Sequence, residues 1–230
     1  MENYQICNNC KSVNPLYASN CKACNSYLHS KIANIDLWDS IWNIMTNPIE
    51  TTVKLVQSEK KNFLVTLLFL WFIKSSINNY MLKNFYAAGS EYAVSFNSSV
   101  VDGGVISILL LIVTGLLLTI VFNLIKVKTR IKDNITIISF ALIPILLSFI
   151  FLTPFHFALY GFYWYTMNPS PFIIKPFVTY VFYGIEGIFI IWSIVLFVYV
   201  IYTQTNKIIL SIISGISLAF ILLGFHLLQI

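Results

Sequence analysis

Five long stretches almost free of charge fill the chain after Asn62: Phe63–Leu82, Val105–Ile125, Ile135–Phe157, Pro176–Tyr202 and Ile208–Leu228. Each has about the 20 residues that an α-helix needs to cross a ~30 Å hydrocarbon layer. Backbone groups in lipid must satisfy their own hydrogen bonds, so these stretches are expected to be helices. Only 10% of the chain is charged, against about 25% in a typical soluble domain. The shortage belongs to the apolar part, because the first 62 residues are polar. The expectation is an all-α polytopic membrane protein with five transmembrane helices in residues 63–230, preceded by a small zinc ribbon (1–30) and a short amphipathic helical linker (31–62).

The distribution of charge orients the spans. With the N-terminus inside, the cytosolic segments hold eleven basic residues: Lys11, Lys22, Lys31, Lys54, Lys60, Lys61, Lys126, Lys128, Arg130, Lys132 and Lys207. The outer loops then hold two, Lys83 and Lys175. This is a positive-inside bias. It predicts a multi-pass protein with a cytoplasmic N-terminus and an outside C-terminus, in the inner or plasma membrane if the chain is bacterial. Met1 to Ile6 is polar and no cleavable signal pattern follows, so the first span is expected to serve as an uncleaved anchor. The basic residues stand beside spans, where lipid headgroups would meet them. The lipid bilayer is therefore the expected partner, and nucleic acid is not.

All four cysteines lie in the first 24 residues, as Cys7-Asn-Asn-Cys10 and Cys21-Lys-Ala-Cys24. Two C-x2-C pairs ten residues apart have the spacing of a zinc ribbon, in which each pair offers two thiolates to a tetrahedral Zn. So small a piece has no hydrophobic core, and metal binding is expected to drive its folding. Two disulfides would need an oxidising compartment, which the charge bias argues against; a redox or regulatory dithiol is the other alternative. Four protein ligands leave no open position for catalytic water. His29 follows Cys24 closely and reads as a surface histidine rather than a spare ligand.

Ala33 to Ser58 is amphipathic, with Leu37, Ile41, Ile44 and Met45 at helical spacing and Trp38 and Trp42 flanking that face. Asp36 suits an N-cap; Asn47-Pro48 restarts the helix, with Glu50 placed as a capping-box acid. Two readings stand: the helix lies in the headgroup layer, or it packs on the cytosolic ends of the spans. Both put the tryptophans at an apolar boundary, as membrane-interface residues.

Inside the spans two charges stand out, Lys74 near the middle of the first and Glu186 at similar depth in the fourth. A charge at the bilayer centre costs several kcal/mol unless partnered or hydrated. Lys74 and Glu186 are expected to approach one another or to share a polar cavity, as a buried pair that sets helix packing or as part of an ion pathway. Pro144 and Pro154 are expected to kink or end the third span near Pro154 to Phe157. The aromatic run through Phe162-Tyr163-Trp164-Tyr165 suits an interfacial belt, and His156 beside it reads as structural. Gly103-Gly104 reads as a turn leading into the second span. Ser211, Gly215 and Ala219 form a small-xxx-small stripe for close helix packing, within the bundle or in a homo-oligomer.

The phrases Trp42-Asn-Ile-Met-Thr-Asn-Pro48 with Glu50-Thr-Thr, Ser139-Phe-Ala-Leu-Ile-Pro144 and Ile191-Trp-Ser-Ile-Val-Leu196 give the chain a resemblance to the Yip family, over roughly Trp38 to Leu228. That resemblance implies a five-span module of non-enzymatic type, with roles in vesicle traffic and membrane shaping and, in eukaryotes, binding of Rab-type GTPases. Here the zinc ribbon replaces a longer cytosolic arm, so GTPase binding does not carry over. The sequence is read as a membrane-organising or adaptor protein whose ribbon recruits an unknown cytosolic protein. The alternative is a transporter or channel using Lys74 and Glu186. A membrane enzyme has little support: H-E-x-x-H and G-x-S-x-G are absent, and Glu186 is the one acid within a span.

Overall fold

Apolar runs broken by Asn-Pro, Gly and Lys-rich links give a predominantly helical chain, with one small sheet among the described residues. The computed structural model describes residues 4–28, 35–58, 60–87 and 94–228, with side chains through 224. His29 and the side chain of His226 lie outside the described residues. The order is β1 (Tyr4–Ile6), β2 (Val13–Pro15), α1 (Leu37–Thr46), α2 (Pro48–Gln57), α3 (Leu64–Ala87), α4 (Phe96–Ser99), a π-helical turn (Val100–Val105), α5 (Ile106–Leu124), α6 (Ile131–Ala141), α7 (Ile143–Tyr160), α8 (Tyr163–Thr166), α9 (Pro171–Ile174), α10 (Pro176–Thr205) and α11 (Ile208–Leu228). Among the described residues three helical stretches are long and apolar enough to cross a membrane: Phe96–Leu124 (α4 through α5), Ile143–Tyr160 and Pro176–Thr205. α11 is apolar but shorter over Ile208–Gly224. α3 has the length, but its middle carries Lys74, Ser75, Ser76, Asn78 and Asn79.

The chain divides into two compact units. The first comprises Met1–Val65, Ile112–Ala141 and Val195–Leu218. In it β1 and β2 pair antiparallel, with Tyr4 opposite Pro15 and Ile6 opposite Val13. Asp36 caps α1 by accepting from the Asp39 amide at 2.8 Å. The expected capping box at α2 does not form: the Asn47 amide group donates to Glu50 at 2.8 Å, and its backbone N–H closes α1 on Asn43 O. Pro48 alone sets the first turn, because its fixed φ and missing N–H cost nothing there. α1 and α2 pack on each other and on α6, burying Ile44, Leu55, Val56, Ile137 and Ile138. Trp38 and Trp42 point away from that contact, 75% and 70% exposed. Two glycines permit close helix approach: a Cβ on Gly115 would meet Ile135 Cγ1 at 2.5 Å, and one on Gly215 would meet Val198 Cγ2 at 2.8 Å. The expected small-residue stripe thus starts as an intramolecular contact, with the Ser211 hydroxyl 3.0 Å from that of Thr205. Ala219, the last residue of the stripe, is also buried.

The second unit comprises Thr66–Leu111, Leu142–Ile194 and Ala219–Ile230. Three expectations are corrected within it. Gly103 and Gly104 are not a turn before a span; they lie in the π-helical turn that joins α4 to α5. A Cβ on Gly103 would sit 2.5 Å from Asn79 Cβ, and one on Gly104 would sit 2.4 Å from Ser76 Oγ, so the glycines serve contact with α3. α7 does not end at Pro154 but continues to Tyr160 and stops at Gly161, whose φ is 59°. A proline forfeits one amide bond, and the helix absorbs that loss. The break falls earlier, at Leu142, between the end of α6 at Ala141 and the start of α7 at Ile143, with Pro144 in the first turn of α7. Trp164 is not a belt residue. It is buried against Leu152, Tyr160 and Phe182, while Phe162 and Tyr163 face outward.

Candidate metal centre and buried polar cluster

The four cysteine sulfurs lie within 4.8 Å of one another. Two turns of the same construction bring them together. The Cys7 amide donates to Ser12 O at 3.0 Å and Lys11 N to Cys7 O at 2.9 Å; the Cys21 amide donates to Ser26 O at 2.8 Å and Asn25 N to Cys21 O at 2.9 Å. Lys11 and Asn25 both take a left-handed conformation, with φ 59° and 58°. The strand pair Ile6–Val13 has its counterpart in the bridge between Asn20 and Tyr27. Each residue of the second turn stands 14 positions after its match, so the module is C-x-x-C-x-S used twice.

The serines lace the two turns together crosswise. Ser12 Oγ lies 3.1 Å from Cys10 Sγ and 2.9 Å from Cys21 Sγ. Ser26 Oγ lies 3.0 Å from Cys24 Sγ and 3.1 Å from Cys7 Sγ. The short sulfur–sulfur distances also run between turns, 3.5 Å for Cys10–Cys21 and 3.6 Å for Cys7–Cys24. A tetrahedral ion with ~2.3 Å bonds to sulfur requires about 3.8 Å between sulfurs. The donor set and the spacing therefore fit a metal ion held by all four thiolates. Ser12 and Ser26 escaped the sequence reading, although the repeated C-x-x-C-x-S was visible there.

The thiols are not equivalent. The Ser12 hydroxyl, followed by the Cys24 amide, stabilises the Cys21 thiolate and lowers its pKa to about 5. The Ser26 hydroxyl and then the Cys10 amide lower that of Cys7. For Cys10 the Ser12 hydroxyl and amide also favour the thiolate, but the neighbouring Cys24 and Cys21 outweigh them and the pKa rises. Cys7 and Cys21 are buried, whereas Cys10 is exposed.

A second cluster stands in unit one, where sequence reading placed only topology-setting basic residues, Lys61 and Arg130 among them. The Asp133 carboxylate, 1% exposed, receives Lys61 Nζ at 3.1 Å and Arg130 Nε at 2.6 Å. Lys61 also donates to Leu55 O and, at 3.1 Å, to Ser58 Oγ, closing the C-terminus of α2. Arg130 Nη2 donates to Val56 O at 3.2 Å, and its guanidinium stands 4.7 Å from the centre of the Tyr17 ring. Burial weakens the hold of Lys61 on its proton more than the charge of Asp133 strengthens it, so its pKa falls.

Compared with protein-family models, curated proteins and solved structures, the chain finds no match in any of the three.

In unit two, Lys74 is buried and its ammonium lies 5.5 Å from the centre of the Phe149 ring. Glu186 and His156 are both near enough for electrostatic interaction with it, yet among the described residues no ion pair joins Lys74 to Glu186. His156 stacks on Trp164 at 3.9 Å and meets Phe182 edge-on at 4.6 Å. Its Nε2 is buried and finds no hydrogen-bond partner among the described residues, as is the case for Trp71 Nε1, Ser75 Oγ and Asn79 Oδ1 on α3. Trp71, Ser75 and Asn79 follow at intervals of four and share one face of that helix. Sequence reading missed them because Ser and Asn in an apolar run are ordinary until burial is known.

Proposed function

We propose that the chain is a non-enzymatic integral membrane adaptor, of the organising kind found in the Yip family, with a cytosolic zinc module that recruits a protein partner. The four-thiolate cluster carries this reading: it sits on a small module joined through α1 and α2 to helices apolar enough for a bilayer. Zinc is the assigned ion because it suits a closed tetrahedral four-cysteine set in a reducing compartment. Such a set supplies structural rigidity and no open position for substrate. Ile6, Val13 and Tyr27 are exposed on the module and offer apolar contacts to a partner. The five spans are α3, the rod from α4 through α5, α7, α10 and α11, with the N-terminus in the cytoplasm and the C-terminus outside. Crosslinking of the full chain in native membranes, with and without chelator, tests the adaptor reading. A protein captured only in the metal-loaded state is expected; an identical capture pattern in both states counts against it.

A second reading is favoured by one observation, the buried Lys74 close to Glu186 and His156 with unpartnered polar atoms along α3. Polar groups at such a depth mark ion or proton paths. In that case proteoliposomes carrying the protein conduct protons and Glu186→Gln abolishes the flux. Flux indifferent to that substitution removes the transporter.

A further inference from the structure

We propose that metal loading of the four-cysteine module is thermodynamically linked to its seating on the Arg130–Asp133–Lys61 node at the foot of the apolar helices. This rests on the reading of the cysteine cluster as a metal centre, and not on the adaptor role.

The linkage runs through contiguous contacts. Asn14 is buried at the junction of the two cysteine turns. Its amide nitrogen donates to Ser12 O at 3.0 Å and reaches Cys21 Sγ at 3.6 Å, while its oxygen accepts from Lys22 N at 3.0 Å. A ligand sulfur, both serine-bearing turns and β2 therefore share one side chain. The loop that follows is held from β1: Gln5 Nε2 donates to Pro15 O at 2.9 Å, Leu16 O at 3.1 Å and Ala18 O at 2.6 Å. Tyr17 stands in the middle of that clamped loop. Its ring position thus depends on the hairpin being folded, which in a piece without a hydrophobic core depends on the ion.

Beyond Tyr17 the contacts lead to groups with little freedom. The guanidinium over its ring is fixed by two bonds to Asp133, from Nε at 2.6 Å and Nη2 at 3.2 Å. That carboxylate is buried and is shared with Lys61, which stands three residues before α3 and bonds the last carbonyls of α2. A seated module covers one face of Arg130. An unseated one leaves that face to water, with Arg130 still bound to Asp133. The structure shows the seated arrangement, and the linkage requires the module's folded state to favour it over the unseated one. Linkage is reciprocal, so loosening the seat must weaken metal retention by the same factor with which loss of metal loosens the seat.

The test uses the full chain in lipid nanodiscs, loaded with zinc or stripped with chelator, and reads amide hydrogen exchange and metal retention by chelator competition. Stripping is expected to raise exchange over residues 52–58 and 128–134, outside the module. Tyr17→Leu, which keeps an apolar side chain but gives up the cation–π contact, is expected to raise exchange over the same residues while zinc is still bound. It is also expected to weaken retention roughly three- to tenfold. Arg130→Gln lies outside the module and cannot unfold it directly, so a similar weakening there identifies the seat as the cause. Unchanged exchange on stripping, or chelator competition within about twofold of the parent for Arg130→Gln, overturns the linkage. A chain that never holds zinc overturns the metal reading itself, which direct metal analysis tells apart.

Discussion

Residues 4–28 and the helices α6 and α10 are organised in opposite ways. In the cysteine module Ile6, Val13 and Tyr27 face outward, and the buried side chains include Cys7, Cys21 and Asn14. In α6 and α10 Ile137, Ile138, Phe197 and Ile201 are fully buried, and glycines elsewhere let neighbouring helices close on one another. The module gathers polar atoms around four sulfurs; the helices remove apolar surface from their surroundings. One should therefore respond to what binds sulfur, and the other to what alters volume or buried charge.

The sharpest break in this contrast comes from Cys21→Ser with Cys24→Ser. Metal content is expected to fall from about one equivalent per chain to none, and the module's amides to exchange as an unfolded segment. The helical circular dichroism should stay at the parental level; a collapse of helicity would mean that the two regions are not independently built. Next in size is Asp133→Asn, which leaves Lys61 buried without its counter-charge and should cost about 3–5 kcal/mol in reversible unfolding in detergent. Replacing Lys61 by Met in the same chain should recover much of that loss, because removing both partners is nearly neutral.

Volume is probed by Gly103→Val. Its side chain would meet Asn79 and the Ser75 carbonyl oxygen, and destabilisation of about 1–3 kcal/mol is expected. Gly184→Val, with nothing within 4 Å of its Cβ position, controls for propensity alone. Equal effects at the two positions would contradict the close approach of the π-helical turn to α3.

Ser12→Ala acts on the sulfur side. The Ser12 hydroxyl favours the Cys21 thiolate and lowers its pKa to about 5, and a thiol must give up its proton to hold a metal ion. The folded, metal-loaded module therefore draws on this low pKa fully above the unfolded thiol value of about 8.5 and loses that contribution as pH falls through about 5. Without the hydroxyl, release of zinc and loss of amide protection in the module on acidification should begin at higher pH; an unmoved release profile would remove Ser12 from the site. The smallest effect belongs to Trp42→Ala, whose side chain is exposed. Unfolding stability should stay within about 0.5 kcal/mol, and a larger change would show that Trp42 packs after all.

Readable along the chain were the helical class, the apolar runs that become α3, α5, α7, α10 and α11, the amphipathic α1 and α2, and the four cysteines whose spacing suits a metal ion. Hydropathy and cysteine spacing are local properties, readable without knowing what lies opposite. Tertiary structure alone decided that Ser12 and Ser26 lace the two turns crosswise, that Gly103 and Gly104 meet α3, that Trp164 is core, and that Asp133 gathers Arg130 and Lys61. Each of these depends on which groups, distant along the chain, arrive at one place and leave water together. No local pattern records that meeting.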